Sequence, residues 1–309
     1  LFNWKKYDIV YVTSPPLFVG IIGINLKFFF PSSIFIFEVR DLWPDAAIEM
    51  GELKNKAFRK FSYKLENSLY TKADHIVAVT NRFKSKIIEK GFNENKISVI
   101  RNGSDLSFQN KKINPDLQSK HKLQNKFVVI YAGILGIAQN LTTVLRAAQQ
   151  ITDPDIVILL VGAGPEEAKL KKIANEQKIR NVIFTGEISK KHVSDYLSLA
   201  DCGLIPLKNI SVFERTIPSK LFDYMSADLP ILLGVKGEAK EILAQSEAGI
   251  CFKPDDITDL VEKITYMKNN RDELQKMRGK GRKFVEENFD REKLAAKLDD
   301  VFTELLDDE

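Results

Sequence analysis

Phe127-Val128-Val129-Ile130-Tyr131-Ala132-Gly133-Ile134-Leu135-Gly136-Ile137-Ala138-Gln139-Asn140 is the stretch on which the fold turns. Six apolar residues run without a break, a loop with two glycines follows, and an amphipathic helical pattern begins at 141. An apolar run that short and that continuous describes a strand covered on both faces, as in parallel sheets. A strand, a glycine loop and a helix in that order form one half of a βαβ unit.

The same rhythm recurs on both sides of this stretch. Apolar runs at residues 8–13, 34–39, 75–80, 156–162, 182–185, 203–206 and 231–234 are rich in Val and Ile. Amphipathic segments at 141–151, 166–177 and 191–199 lie between some of them. Alternation of this kind predicts an α/β doubly wound architecture. The rhythm pauses after Ile100, where Arg101-Asn102-Gly103-Ser104-Asp105 is turn chemistry and residues 111–126 are polar. The expected division is a first domain at 1–108, a linker at 109–126, a second domain at 127–289 and a closing helix at 290–309. That helix sets Leu294, Leu298, Val301, Phe302 and Leu305 on one face, which suits packing back onto the first domain.

The 309 residues are more than a single core usually supports. Net charge is +4, unevenly spread: residues 1–126 hold 21 Lys and Arg against 12 Asp and Glu, and residues 127–309 hold 25 against 30. Two domains with different partners follow from that asymmetry. Cys202 and Cys251 sit in apolar runs and read as buried thiols. His75, His121 and His192 have no partner at metal spacing. No apolar run reaches the ~20 residues of a membrane span, and no nucleic-acid partner is expected. Strand-like sequence begins almost at Leu1, which reads as a cut in a longer chain.

Four motifs sit where polar groups could do chemistry. The loop with Gly133 and Gly136 could offer amides to a phosphate, or serve the turn alone. Gly162-Ala163-Gly164-Pro165-Glu166-Glu167 reads as structural, because an acidic helix start disfavours an anion. In Arg215-Thr216-Ile217-Pro218-Ser219-Lys220-Leu221-Phe222-Asp223, Pro218 suits a first helical position, so residues 216–220 would form a basic helix N-terminus with Asp223 one turn on. A nucleoside diphosphate with its ribose fits that arrangement; a plain capped helix fits it too. Arg40 and Asp41 follow the strand 34–39, at the carboxyl end where ligands of open α/β sheets bind, or they pair locally to pin a loop. Asp153-Pro154-Asp155 precedes a strand and is not read as a metal site.

Taken in order, these motifs resemble family 4 of the retaining glycosyltransferases, enzymes of the GT-B fold, and within it the bacterial O-antigen, capsule, lipopolysaccharide and colanic-acid enzymes, including those assigned as fucosamine transferases. The resemblance rests on residues 39–45, 100–105, 131–139, 162–165, 182–187 with 196–206, and 217–225, in collinear order over nearly the whole chain. It implies two Rossmann-like domains facing a cleft, the first incomplete by roughly 80–100 residues. It implies a second domain that binds the nucleotide sugar, through Gly133, Gly136, Gln139, Glu187, Arg215, Thr216, Pro218, Ser219, Lys220 and Asp223. The chain departs from the family's pattern at several points. Asp223 stands where the family usually has a Glu, Arg215 where it has an earlier Glu, Ile134 and Gln139 where it often has Arg and Lys, Asp228 where it normally has Gly, and Arg40 where many members have His. Arg40 and Asp41 are the candidate catalytic residues.

The implied reaction moves a sugar from a nucleoside-diphosphate donor, expected to be UDP-linked, to a hydroxyl of a lipid-linked saccharide, with retention and without metal or other cofactor. Two rivals are a non-catalytic sugar-nucleotide-binding fragment and a GT-B-like epimerase. The expected setting is cytoplasmic and peripheral on the inner membrane face. Residues 54–72 predict a helix whose Lys54, Lys56, Arg59, Lys60, Lys64 and Lys72 could meet anionic lipid, while Phe58, Phe61, Leu65 and Leu69 read as its core stripe.

Overall fold

The computed structural model describes residues 7–104, 106 and 112–307. By contacts the chain forms two compact units. Unit 1 takes residues up to Asn102, the short segment Ile210–Thr216, and everything from Arg291 onward; unit 2 takes Gly103–Asn209 and Ile217–Asp290.

Unit 1 is a four-stranded parallel sheet, β1 (Ile9–Ser14), β2 (Ile34–Val39), β3 (His75–Ala78) and β4 (Ile97–Val99), in sequential order. Its helices are α1 (Gly20–Phe29), α2 (Asp45–Glu49), α3 (Lys56–Lys72) and α4 (Asn81–Glu89). β2 shows why the run at 34–39 is apolar but for Glu38. Successive strand residues point to opposite faces. Phe35, Phe37 and Val39 pack with Leu65, Leu69, Tyr70, Phe83 and Ile87 from α3 and α4. Ile34 and Ile36, with Val77 of β3, meet Leu298, Phe302 and Leu305 on the other face.

Unit 2 carries β5 (Phe127–Ala132), β6 (Ile156–Val161), β7 (Val182–Gly186), β8 (Cys202–Pro206), β9 (Ile231–Gly234) and β10 (Gly249–Cys251). Their spatial order is β10-β9-β8-β5-β6-β7, all parallel. That is the dinucleotide-fold order, reversing direction between β5 and β8. Its helices are α5 (Pro115–Lys120), α6 (Leu141–Gln150), α7 (Glu167–Glu176), α8 (Lys190–Leu197), α9 (Ser219–Ser226), α10 (Glu238–Ser246), α11 (Ile257–Asn269), α12 (Arg271–Met277) and α13 (Lys280–Asn288). α14 (Arg291–Asp307) returns to unit 1.

Several expectations need correction. The junction at 108–109 and Asp105 lie outside the described residues. Ser104 already belongs to unit 2, its amide donating to Phe289 O (2.9 Å) and its hydroxyl accepting from Ser226 Oγ (2.8 Å). The segment read as linker is partly helical, because Asn114 caps α5 with Pro115 at its first position, and Leu123 is buried. Cys202 is buried, but Cys251 only half so, since it lies on the edge strand β10. α3 starts at Lys56, since Asn55 accepts from Phe58 N and stops the helix there. Its apolar stripe divides: Leu65 and Leu69 are core, whereas Phe58 and Phe61 stay exposed and pack with Phe18, just before α1.

Candidate functional site

In unit 2 the loops after β5 and β6 are laced together before they meet any ligand. Gly133 N donates to Val161 O (2.8 Å), Leu135 N to Ala163 O (2.9 Å) and Glu166 N to Leu135 O (3.0 Å). The glycines make this approach possible. A Cβ on Gly162, at φ +126°, would lie 2.1 Å from Gly133 O, and one on Gly164 would lie 2.5 Å from Leu135 O. The Gly162 motif is therefore structural, as its sequence reads, and it also forms a wall of the site. Its acidic start faces elsewhere: Glu166 pairs with Lys169 and Glu167 with Lys171.

This lacing also changes the reading of the first glycine loop. The amides of Gly133, Leu135, Gly136 and Gln139 all donate within the protein. A 3₁₀ turn, Ile137–Gln139, separates the loop from α6, so no α-helix N-terminus stands directly behind the glycines. The loop serves instead to make room. A Cβ on Gly133 would sit 2.7 Å from Lys220 Cε and Nζ.

Lys220 reaches that space from the first turn of α9, which has no side-chain cap. Pro218 is the residue before the helix, not its first position; its extended ψ of 129° delays the helix to Ser219. The Lys220 ammonium stands 5.0 Å over the Tyr131 ring. Burial lowers its pKa, and the Asp223 carboxylate one turn on partly restores it. Tyr224, next along α9, accepts from Ala132 N (2.9 Å) and lies against Gly203, so α9 is keyed to both central strands.

These elements enclose a cavity of ≈ 620 Å³ at the carboxyl ends of β5, β6 and β7. Five of the residues read as donor-binding line it: Gly133, Glu187, Ser219, Lys220 and Asp223. Gly136, Gln139 and Pro218 do not line it. Missed by the sequence reading were Ile188, Lys190, Val193 and Leu197, which close the cavity from α8 and the loop before it. Lys190 opens a helix after Ser189, the same sign by which Lys220 was found.

Arg215 and Thr216 are not at this cavity. They end a 3₁₀ turn, Ser211–Arg215, grouped with unit 1. Glu49 holds that turn, accepting from Ser211 Oγ and Val212 N (both 2.7 Å) and lying 3.7 Å from Arg215 Nη1. Thr216 instead lines a second cavity, ≈ 420 Å³, in unit 1, together with Arg40, Asp41, Thr13 and Asn102. Burial raises the Asp41 pKa, and a backbone hydrogen bond from Leu42 opposes the rise. A carboxyl poised this way beside an Arg in a cavity suits hydroxyl recognition or proton transfer.

Among the described residues no three His, Cys, Asp or Glu side chains converge as a metal site. Asp153 and Asp155 pair with Lys268 and Lys126. No helix among those residues is long and apolar enough to cross a membrane.

Residues 113–284 match the profile of the family described as Glycosyl transferases group 1, and residues 1–108 that of Glycosyltransferase Family 4. WcaI of Escherichia coli, assigned to colanic acid biosynthesis as a glycosyl transferase, is 24% identical over 274 residues, which is 85% of this chain and 66% of WcaI. An uncharacterised glycosyltransferase of Methanocaldococcus jannaschii is 23% identical over 83% of this chain and 65% of its own length. TuaH of Bacillus subtilis, assigned to teichuronic acid biosynthesis, is 25% identical over 64% and 49% respectively. The chain thus spans about two thirds of the first two relatives and half of the third. Among solved structures, a sucrose-phosphate synthase from Thermosynechococcus elongatus superposes with a TM-score of 0.79 at 18% identity, covering 98% of this chain and 75% of that one. Anabaena HepE in complex with UDP and glucose gives 0.79 at 16%, covering 96% and 78%. At such identities the likeness is one of fold: two parallel-sheet, Rossmann-like domains as in GT-B glycosyltransferases.

Proposed function

The chain belongs to the glycosyl transferases group 1 family, and from that premise we propose that it moves a sugar from a UDP-linked donor to a hydroxyl of a lipid-linked saccharide, with retention, in bacterial surface-polysaccharide synthesis. One observation carries the donor half of this reading. Lys220, Asp223 and Gly133 converge in one cavity beyond the carboxyl ends of β5, β6 and β7, on the side where ligands of open α/β sheets bind, with β5 one of the two strands between which the order reverses. The Lys220 ammonium and the uncapped start of α9 would hold the diphosphate, and Asp223 a ribose hydroxyl. As the glycosidic bond breaks, the leaving diphosphate gains negative charge. A cation already fixed beside it lowers the barrier without reorganisation. Arg40 and Asp41 would engage the acceptor in the unit 1 cavity, and the reaction would need no metal. HepE, solved with UDP and glucose, supports a UDP-sugar by analogy of fold. The relatives assigned to colanic and teichuronic acid synthesis support a polysaccharide product. A lipid-linked acceptor would place the protein at the inner membrane face, with the basic helix α3 toward anionic headgroups.

Calorimetry with UDP on Asp223→Ala tests the donor site. The expected loss is ~1.5–3 kcal/mol, the range for hydrogen bonds involving charged groups. Unchanged affinity in a folded variant would refute the assignment. Transfer followed by NMR of the anomeric coupling, with and without EDTA, tests retention and metal independence; inversion or EDTA-abolished turnover would overturn the corresponding claim.

A further inference from the structure

We propose that Tyr224 is a further residue of the nucleotide site, whose hydroxyl gives its proton to an oxygen of the bound diphosphate beside the Lys220 ammonium. The inference rests on the nucleotide site proposed above and adds to it a neutral group that donates a hydrogen bond. A phenol has one proton to give and lone pairs with which to accept. Three tyrosines stand among the largest fully buried side chains of the described residues, Tyr70, Tyr131 and Tyr224. Two of them place their proton inside the protein, Tyr70 on Glu66 Oε1 (3.2 Å) and Tyr131 on Ile134 O (2.6 Å). Tyr224 does the reverse. Its oxygen accepts from Ala132 N (2.9 Å), and no acceptor among the described residues takes its proton.

A buried polar group calls for a partner, and the place of Tyr224 shows where that partner sits. The ring is fixed against β8: a Cβ on Gly203 would lie 2.4 Å from its Cδ2. The hydroxyl end stands at Ala132, and Ala132 and Tyr224 both line the ≈ 620 Å³ cavity. Burial pushes the phenol pKa well above its ordinary value; the Ala132 amide opposes the rise, and Tyr131, Asp223 and Cys202 add to it. The group is therefore neutral and holds the proton it has to offer.

The neighbouring cation selects the acceptor. Lys220 and Tyr224 are four residues apart and stack on one face of α9. Both reach the same end of β5. The ammonium lies 5.0 Å over the Tyr131 ring and 2.7 Å from where a Cβ on Gly133 would be, and the hydroxyl meets Ala132. An oxygen that settles against the ammonium carries negative charge, and a hydrogen bond to such an oxygen is roughly twice as strong as one to a neutral acceptor. The amide that donates into the phenol oxygen polarises the O–H further. As charge gathers on the leaving diphosphate this bond strengthens, which is what lowers a barrier.

Calorimetry with UDP and with uridine on Tyr224→Phe tests the assignment. Phenylalanine keeps the ring against Gly203 and removes the oxygen alone. UDP should bind about tenfold more weakly, and uridine, which has no phosphate, as it does to the wild type. Equal losses for UDP and uridine would give the hydroxyl to the cavity wall or to the ribose and overturn the proposal. Unchanged UDP affinity would leave the proton with water and overturn it as well. Both of those outcomes leave the nucleotide site standing, whereas a wild type that binds no UDP would remove the site and the inference together. Independently of that variant, 3-fluorotyrosine placed at position 224 alone should give a ¹⁹F resonance that moves on addition of UDP or of inorganic pyrophosphate, and a resonance indifferent to saturating UDP would refute the inference.

Discussion

At the scale of the residue, Lys220 is the most informative side chain. It is half-buried against the Tyr131 ring, with Asp223 the charge that offsets its lowered pKa. Burial disfavours the ammonium, so a diphosphate bound beside it should draw the pKa back up. The sign follows. The cation is lost as pH rises through the lowered pKa of the free protein. UDP affinity should therefore fall on the alkaline side earlier than an ordinary lysine, at 10.5, would allow. Lys220→Gln should bind UDP more weakly by ~1.5–3 kcal/mol at neutral pH and lose that alkaline decline; calorimetry across the pH range measures both. An unchanged decline in the variant would mean another group is responsible. Lys220 and Asp223 were legible from a proline, a lysine and an acid at helical spacing. Arg215 and Thr216, in the same motif, were misplaced, because nothing in the local sequence announces that Glu49, more than 160 positions away, holds their turn.

At the scale of the element, strands with both faces covered were readable because their length is apolar, wholly in β5 and in β2 but for Glu38. β4 and β10, three residues each, carry too few residues for a pattern. α1 was missed for the opposite reason: it is apolar on both faces, so no helical period shows. The β5–β6 loop pair allows a sharp comparison. Gly162 has φ +126° and no space for a Cβ, whereas the nearest atom to a Cβ on Gly136 is 3.6 Å away and its φ is −111°. Gly162→Ala should push the two loops apart, lowering stability by roughly 1–3 kcal/mol and weakening UDP binding as the wall shifts. Gly136→Ala should change neither beyond about 0.5 kcal/mol. Thermal melts with calorimetry decide; equal effects at the two positions would show that the loop spacing is not set by Gly162.

At the scale of the whole molecule, the chain does not divide at one point. It leaves unit 1 at Asn102, returns for Ile210–Thr216, and ends in unit 1 with α14. The five apolar residues on one face of α14 and its return to the first domain could be read from the sequence; which residues of the sheet three of them would cover could not. The sheet needs that helix. Ile34, Ile36 and Val77 are buried on the face where Leu298, Phe302 and Leu305 pack, and Phe302 meets Tyr11 edge-on at 5.5 Å. Removing residues 291–309 would return that face to water, although most of unit 1's larger core, on the other side, would keep its contacts. Phe302→Ala is the milder form of the same test. Phe302 is half-buried, so its loss should cost about 2 kcal/mol, below the 3–5 typical of a fully buried Phe. The cost should fall on unit 1 alone, because unit 2 has its own core around β5, α6 and α11. Calorimetric unfolding should then separate two transitions. UDP should raise the unit 2 transition by mass action in wild type and variant alike, while Phe302→Ala lowers only the other. A variant that loses UDP binding and melts as one unit would show that the two cores stand or fall together.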